Sequence, residues 1–264
     1  MNLGIMQPYF FPYIGYWQLM ALTDVYVIYD DVNFIKSGWI NRNRILGPDG
    51  PIYINVPCKN AGSSRKICEV GVDITPRYLR KMANKLTFSY RRAPYFEDVY
   101  PFIFDLMSLN SDSLADYLAN SIEKTASRLG IGTTFMQSSK TPLAPELRGQ
   151  TRVIEICRQL GAADYYNAIG GTKLYSPSDF ENAGITLKFV KTGDIRYAQT
   201  FGSSKAADQF CPDLFGSSKA ADQFCPDLSI IDVLMNTGWE GTRELLTHRI
   251  VYDAKKLTDK VCRL

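Results

Sequence analysis

The fold is decided by the stretch Leu3-Gly-Ile-Met-Gln-Pro-Tyr-Phe-Phe-Pro-Tyr-Ile-Gly-Tyr-Trp-Gln-Leu19 and the residues directly after it. Residues Leu3–Met6 are short and apolar, as a buried strand would be. Residues Pro12–Thr23 predict a helix, because proline suits the first helical position, where its missing N–H would have no partner. The β-branched and aromatic residues Val25–Tyr29 predict a second strand. Strand, loop, helix and strand open a parallel α/β sheet, which binds ligands beyond the carboxyl ends of its strands.

Length and composition are those of a globular protein. The chain has 264 residues, 45% of them apolar and 22% charged, with a net charge of +3. We predict a single α/β domain with a Rossmann-like, mostly parallel sheet and a helical insertion at residues 75–129. The basic residues are scattered, with small clusters at residues 41–44, 77–85 and 91–92, which indicates solvated helix faces and no nucleic-acid partner. No apolar run is long enough to span a membrane and the N-terminus lacks a basic leader, so a cytoplasmic location is expected.

The cysteines and the histidine do not suggest a metal site. The six cysteines show no C-x-x-C spacing and His248 is the one histidine, so no metal ligands are assigned. Most cysteines should be small buried residues of a reduced protein. Cys58 is the best candidate for a cysteine nucleophile, but it has no identifiable histidine partner. His248 is expected to be exposed and not to act as a base.

Two adjacent carboxylates, Asp30 and Asp31, follow the second predicted strand. At the ligand-binding edge of the sheet they could act as a base, hold a hydroxylated substrate or bind a metal. Alternatively they could simply end the strand, because aspartate favours turns. We predict Asp30 and Asp31 as the catalytic residues.

The next segment, residues 36–44, mixes hydrogen-bond donors with a large aromatic ring. Arginine offers a fork that matches phosphate or carboxylate, and tryptophan offers a flat face for a sugar or a base. An anionic, sugar-bearing ligand would suit this mixture, and the alternative is a solvated strand or loop with one buried tryptophan. The substrate-binding candidates from this segment are Lys36, Trp39, Asn41 and Arg42.

A glycine-rich segment, Tyr165–Tyr175, predicts a strand followed by a turn. Gly170 and Gly171 would let the backbone approach a ligand closely, and successive N–H groups could form an anion-binding nest. Thr172 and Lys173 would add a hydroxyl and a charge. A turn without a ligand is the alternative.

A perfect tandem repeat interrupts the C-terminal third. The 14 residues Phe201–Leu214 recur without change as Phe215–Leu228. Two copies are too few for a solenoid, which indicates a recent duplication. We expect the second copy to take the native place, before Ser229, and the first to form a surface loop.

The motifs together resemble the WbqC-like family. The resemblance lies in residues 5–16, 27–36, 39–44, 166–175 and 229–234. It implies a role in bacterial O-antigen or surface-polysaccharide biosynthesis, and aminoacyl (glycyl) transfer has been suggested for such proteins. The family supplies no settled catalytic residues. In the first motif we select Gln7, Tyr13, Gly15 and Tyr16 as substrate-binding candidates.

A more distant similarity connects the chain with HIGH-motif nucleotidyltransferases. Tyr13-Ile-Gly-Tyr16 stands where those enzymes carry His-x-Gly-His, and Ile169-Gly-Gly-Thr-Lys-Leu174 is similar to their late Ser/Gly-Thr signature. Tyrosine donates a hydrogen bond but carries no positive charge. The substitution therefore argues against nucleotidyl transfer itself and for a binding fold retained for another transfer.

Three functions follow as hypotheses. The first is an aminoacyl transferase acting on a nucleotide- or lipid-linked sugar, with an aspartate as base. The second is a nucleotide-dependent enzyme, which would use Mg²⁺ at the carboxylates; the sequence does not identify a cofactor otherwise. The third is a non-catalytic carbohydrate- or carrier-binding protein. The expected partner is a small anionic substrate bearing a sugar or nucleotide, with a carrier protein as a further partner.

Overall fold

The computed structural model describes residues 1–141, 143–200 and 224–256. The first repeat copy, Phe201–Leu214, for which a surface loop is predicted, lies outside the described residues, as do Cys211 and Cys262. Of the second copy, the structure describes the end, residues 224–228. In the part of the chain that is described, no helix has the length and apolar character needed to cross a bilayer.

A six-stranded sheet forms the centre of the protein. Its strands are β1 (Asn2–Met6), β2 (Val25–Ile28), β7 (Thr134–Gln137), β8 (Asp164–Ala168), β9 (Thr186–Thr192) and β10 (Arg249–Asp253). A hairpin of β3 (Arg42–Gly47) and β4 (Gly50–Asn55) and a pair of two-residue strands, β5 (Cys58–Lys59) and β6 (Gly71–Val72), complete the strands described.

The strand order shows where a ligand would bind. The strands lie in the order β10-β9-β8-β1-β2-β7, all parallel except β10. The chain starts at the centre with β1, builds outward through β2 and β7, and then returns to add β8 and β9 on the other side. In such doubly wound sheets ligands bind where the order reverses, which here lies between β1 and β8. The predicted Rossmann-like, mostly parallel α/β fold is confirmed.

Helices cover both faces of the sheet. They are α1 (Ile14–Met20), α2 (Pro76–Tyr90), α3 (Phe96–Met107), α4 (Leu114–Arg128), α5 (Gly149–Gln159), α6 (Pro177–Asn182) and α7 (Ile230–Leu245). Alternate residues of a strand face opposite sides. Leu3 and Ile5 therefore join a core with α5 and α6, whereas Tyr26 and Ile28 face a larger core with α1, α2, α3, α4 and α7.

The helical region predicted at residues 75–129 consists of α2, α3 and α4, and the start of α2 shows why it is helical. Thr75 caps α2 by accepting a hydrogen bond from the Tyr78 N–H, and Pro76 occupies the first helical position. Gly238, with φ of 68°, kinks α7. A side chain there would also collide with the ring of Tyr95.

One local prediction is wrong. Helix α1 begins at Ile14 and not at Pro12, because Phe11 has a positive φ of 42° and Tyr13 is still extended. At the start of α7, the Ser229 hydroxyl accepts a hydrogen bond from the Ile231 N–H, while the Ser229 N–H donates to the Arg44 carbonyl. Asp253 ends β10, which pairs with β9.

Candidate functional site

The loop after β1, residues 7–13, is held at the switch point by two distant parts of the chain, residues 39–43 and Ser229. The Phe10 N–H donates to the Trp39 carbonyl at 3.1 Å. The Asn43 amide donates to the Phe11 carbonyl at 2.8 Å, and the Ser229 hydroxyl donates to the same carbonyl at 2.7 Å. Three of the sequence motifs therefore meet at one edge of the sheet, although they are up to 218 residues apart in the chain.

The start of α1 is packed tightly against the end of β9. A Cβ atom on Gly15 would lie 2.4 Å from the Thr192 hydroxyl and equally close to the ring of Tyr13. Glycine is therefore required here for packing, whatever it does for a ligand. Tyr16 lies in the core, and its hydroxyl donates to the Gln7 carbonyl at 3.1 Å. Burial raises the pKa of Tyr16, so its hydroxyl remains neutral and supports the loop from below.

The two glycines after β8 differ from each other. A Cβ on Gly171 would lie 2.5 Å from the Asn167 side-chain oxygen, whereas a Cβ on Gly170 would meet nothing within 4 Å. Asn167 is itself buried and donates to the Tyr165 hydroxyl at 2.6 Å. Gly171 thus permits the turn to pack on the sheet, and Gly170 leaves open space beside the backbone.

Asp30 is located at the carboxyl end of β2, as predicted, but its carboxylate is fully engaged. It accepts hydrogen bonds from the Ser139 N–H at 2.8 Å, the Ser139 hydroxyl at 2.7 Å and the Gln137 amide at 3.1 Å, and the Ser138 hydroxyl lies 3.1 Å away. The residue has no exposed surface. Asp30 therefore joins the ends of β2 and β7, and its oxygen atoms have protein partners in place of a substrate.

Asp31 forms a buried ion pair with Arg152 of α5. The Arg152 Nη2 atom lies 2.6 Å from the carboxylate, and the two side chains are 2% and 11% exposed. The Ser138 hydroxyl also donates to Asp31 at 2.6 Å, and the guanidinium lies over the ring of Tyr29. Burial alone would raise the pKa of Asp31, but the hydrogen bonds and charge of Arg152 and the Ser138 hydroxyl outweigh it, so the pKa is lowered.

The basic segment after β2 is partly occupied with its own backbone. The Arg42 guanidinium donates to the Ser37 and Gly38 carbonyls and stacks on Tyr53, and the Asn41 amide donates to the Val56 carbonyl. Lys36 and Trp39 are exposed. Of the four candidates in this segment, Lys36 and Trp39 thus remain available to a ligand.

Several predicted site residues present polar groups without a protein partner. Within residues 1–141, 143–200 and 224–256, no hydrogen bond is made by the side-chain polar atoms of Gln7, Tyr13, Lys36, Thr172 or Lys173. Gln7 follows β1, while Thr172 and Lys173 follow β8, so they flank the switch point. Burial, Asp227 and Tyr9 raise the pKa of Tyr13, which keeps its hydroxyl protonated as a donor.

Sequence reasoning missed several residues that shape this edge. Arg152, Ser138 and Ser139 are not among the candidates selected from the sequence, yet their side chains bind the two carboxylates. The missed signal is positional: Ser138 and Ser139 directly follow a strand, as Asp30 and Asp31 do. For Arg152 the sequence offers no signal, because its partner Asp31 is 121 residues away.

A second buried carboxylate, Asp232, lies in the first turn of α7. It accepts hydrogen bonds from the hydroxyls of Tyr90 and Tyr197, both at 2.7 Å, and from the Gln199 amide at 3.0 Å. Burial raises the pKa of Asp232, against the three hydrogen bonds. Gln199 also exchanges two hydrogen bonds with the Cys225 backbone. The cluster therefore fastens the two chain segments on either side of residues 201–223 to α7.

Of the four cysteines that the structure describes, Cys157 is buried as expected, whereas Cys58, Cys68 and Cys225 are only half-buried. Cys157 is buried, and burial raises its pKa to about 12. Burial raises the pKa of Cys58 to about 11, which disfavours a thiolate nucleophile at neutral pH. His248 is exposed. Among the described residues, no three His, Cys, Asp or Glu side chains are grouped as metal ligands would be.

Comparison with known proteins assigns the chain to a family. The model of the WbqC-like protein family matches residues 7–214. The chain is also 29% identical over 246 residues to the "Uncharacterized protein Rv1507c" of Mycobacterium tuberculosis, with 90% of this chain and 95% of that protein covered. No solved structure matches. The chain therefore belongs to the WbqC-like protein family.

Proposed function

We propose that this protein is a transferase of surface-polysaccharide biosynthesis that binds an anionic, sugar- or nucleotide-bearing substrate at the switch point between β1 and β8. The observation that carries the proposal is the strand order, because doubly wound sheets bind such ligands where the order reverses. Gln7 and Tyr13 on one side and Thr172 and Lys173 on the other offer side-chain donors there that have no hydrogen-bond partner among the described residues. We propose aminoacyl (glycyl) transfer as the reaction, which rests on the family resemblance.

The roles of the two aspartates differ in this proposal. Asp31 would face the substrate, because it keeps some exposed surface and Asp30 has none. A general base works best with a pKa near the working pH, and Arg152 holds the pKa of Asp31 low. We therefore favour Asp31 as the group that orients the acceptor amine or hydroxyl. In the alternative, Asp31 is the base that removes the proton from the acceptor. The activity measurements below distinguish the two roles.

A ligand screen by thermal shift tests the binding site. Nucleotides, nucleotide sugars and a glycyl-adenylate analogue are compared, and a ligand at 100 times its Kd should add about 2.7 kcal/mol to the free energy of unfolding. Lys173→Ala should weaken the binding of any ligand that raises Tm in this screen. Lys124→Ala, a change at an exposed position of α4, should not. If both variants bind as the wild type does, and Gln7→Ala does too, the site lies elsewhere.

Activity distinguishes the roles of the carboxylates. Once the donor and the acceptor substrate have been identified, transfer can be measured directly. Asp31→Asn should abolish transfer if Asp31 is the base, and should mainly raise KM if Asp31 orients the acceptor. Transfer that survives both Asp30→Asn and Asp31→Asn with unchanged KM would refute the assignment. Binding without any turnover would favour the carbohydrate- or carrier-binding alternative.

The strand order also favours a nucleotide-dependent enzyme as a second candidate, since the same order is found in mononucleotide-binding folds. Release of pyrophosphate that depends on ATP or CTP would support it. The carboxylates do not fit a Mg²⁺ site well, because Asp30 has protein partners at both oxygen atoms and Asp31 is paired with a guanidinium. Tyr16 is buried in the core, so its hydroxyl does not take the place of the phosphate-binding histidine of the HIGH motif.

A further inference from the structure

The outer side of α2 and the turn after it carry positive charge without acidic partners. Six basic residues lie there, and the sequence has no Asp or Glu between Ile74 and Phe96. They are Arg77, Arg80, Lys81, Lys85, Arg91 and Arg92, and we call them the α2 basic face. None of them forms an ion pair with a described residue. Without these six charges the net charge of +3 becomes −3, so the excess positive charge is concentrated here.

A groove between α2 and β4 gathers part of this charge around apolar side chains. Its volume is about 810 Å³, and four of the six cations line it together with Ile52 and Phe88. Those four are Arg77, Lys81, Lys85 and Arg91. Among the described residues, no carboxylate lines the groove. The groove therefore suits a ligand that carries several negative charges beside an apolar part.

The cations of the groove are crowded. Lys85 is half-buried and donates to the Tyr53 carbonyl at 2.6 Å. Burial and the neighbouring charge of Lys81 lower its pKa. Like charges that have no acidic neighbour repel one another, and an extended anionic partner would relieve that repulsion at several positions together.

An exposed aromatic ring lies among the cations. Phe88 is 59% exposed. The groove-lining positions 77, 81, 85, 88 and 91 are three or four residues apart, so they form one stripe about 21 Å long at 1.5 Å per residue. Lysine and arginine beside a protruding aromatic ring are typical of surfaces that bind the interface of an anionic membrane.

We propose that the α2 basic face binds the surface of a bilayer that contains anionic phospholipids. The lipid phosphates would contact the four groove cations, and Phe88 would enter the headgroup region. A single-stranded nucleic acid fits less well, because it stacks its bases on successive aromatic rings. Phe88 is the one aromatic residue among those that line the groove, so the groove offers no row of rings on which successive bases could stack.

Sedimentation with lipid vesicles tests the proposal. The full chain should bind vesicles that contain phosphatidylglycerol and not vesicles of phosphatidylcholine alone, and binding should fall as salt is raised. Arg77→Glu/Lys81→Glu should lower the affinity by about 25-fold or more, since each cation near an anionic bilayer contributes about fivefold. Phe88→Ala should weaken binding severalfold without loss of fold, because the ring is mostly exposed.

The matched control is Lys124→Glu/Lys256→Glu, which changes the net charge equally at exposed positions elsewhere. It should bind as the wild type does, apart from a small general effect of charge. Equal losses in both double variants would show that net charge alone drives binding and would overturn the proposal. The proposal is also wrong if a single-stranded oligonucleotide or inorganic pyrophosphate binds through Arg77 and Lys81 while anionic vesicles do not.

Discussion

Replacing Arg152 with methionine should strongly destabilise the protein. The change leaves the Asp31 carboxylate largely buried without its cation, and it also removes the hydrogen bonds to the Leu143 carbonyl. Removing one partner of a buried ion pair costs about 3–5 kcal/mol. For a chain of this size, roughly 2–3 °C per kcal/mol gives a fall in Tm of about 6–15 °C.

Urea denaturation at neutral pH measures the effect, and a second ion pair supplies the control. Lys59 and Asp73 lie 3.1 Å apart but are 60% and 50% exposed. Lys59→Met should therefore cost about 0–1 kcal/mol. The comparison separates the consequence of burial from that of charge pairing as such.

A double-mutant cycle of Asp31→Asn and Arg152→Met isolates the interaction. The double variant should cost less than the two single changes together, by about 1–3 kcal/mol. The reasoning is refuted if the two changes add to within about 0.5 kcal/mol, or if Arg152→Met costs no more than Lys59→Met. Either result would mean that the pair does not act as a buried unit.

Four further predictions concern pH, the glycine turn and the segment after β9. Because the pKa of Asp31 is lowered in the folded state, its contribution is fully present above the unfolded pKa of about 3.9 and is lost as the pH falls through the folded value. The stability difference between wild type and Asp31→Asn should thus shrink on acidification below about pH 4, and a constant difference would contradict this. Gly171→Ala should cost about 1–3 kcal/mol through its collision with Asn167, whereas Gly170→Ala, which meets nothing, should be neutral; equal thermal shifts would count against the packing argument. Deleting residues 201–214, which yields the same sequence as deleting 215–228, shortens the linker between Thr200 and Phe224 from 23 residues to nine. Loop-closure entropy should then raise the free energy of unfolding by about 0.8 kcal/mol, and a loss above about 2 kcal/mol would show that the deleted residues contribute to the core. Gln199→Ala removes the two contacts to the Cys225 backbone and should speed proteolysis within residues 201–223, while Gln150→Ala, on α5, should not; equal cleavage rates would exclude Gln199 as an anchor.

Local patterns explain why many elements could be predicted. Residues 3–6 and 25–28 are apolar along their whole length because both faces of a parallel sheet are covered. Helices α2 and α4 carry Thr75 and Ser113 as caps and apolar residues at helical spacing. Such patterns involve residues that are only a few positions apart, so they can be recognised in the sequence without knowledge of the tertiary structure.

Edge elements and buried polar contacts could not be predicted in this way. Buried and exposed residues do not alternate along β10. Its residues are half-buried at both ends and exposed between them, so the sequence carries no period-two signal there. It forms because the backbone of β9 offers it hydrogen bonds. The sequence predicts the start of α1 two residues too early for a similar reason. Asn43 and Ser229, which are far from α1 in the sequence, donate hydrogen bonds to the Phe11 carbonyl and so fix the backbone before the helix.

The sequence by itself determined the class of the fold, the family and the edge of the sheet at which Asp30, Asp31 and the glycine turn lie. Only the tertiary structure decided which of these groups are free. It joined Asp30 to Ser139 and Asp31 to Arg152 and placed Tyr16 in the core, and it gave the side chains of Gln7 and Lys173 no partner in the part of the chain that is described. The physical reason is that hydrophobic periodicity is a local property of the chain, whereas burial and hydrogen-bond pairing depend on residues more than 100 positions apart.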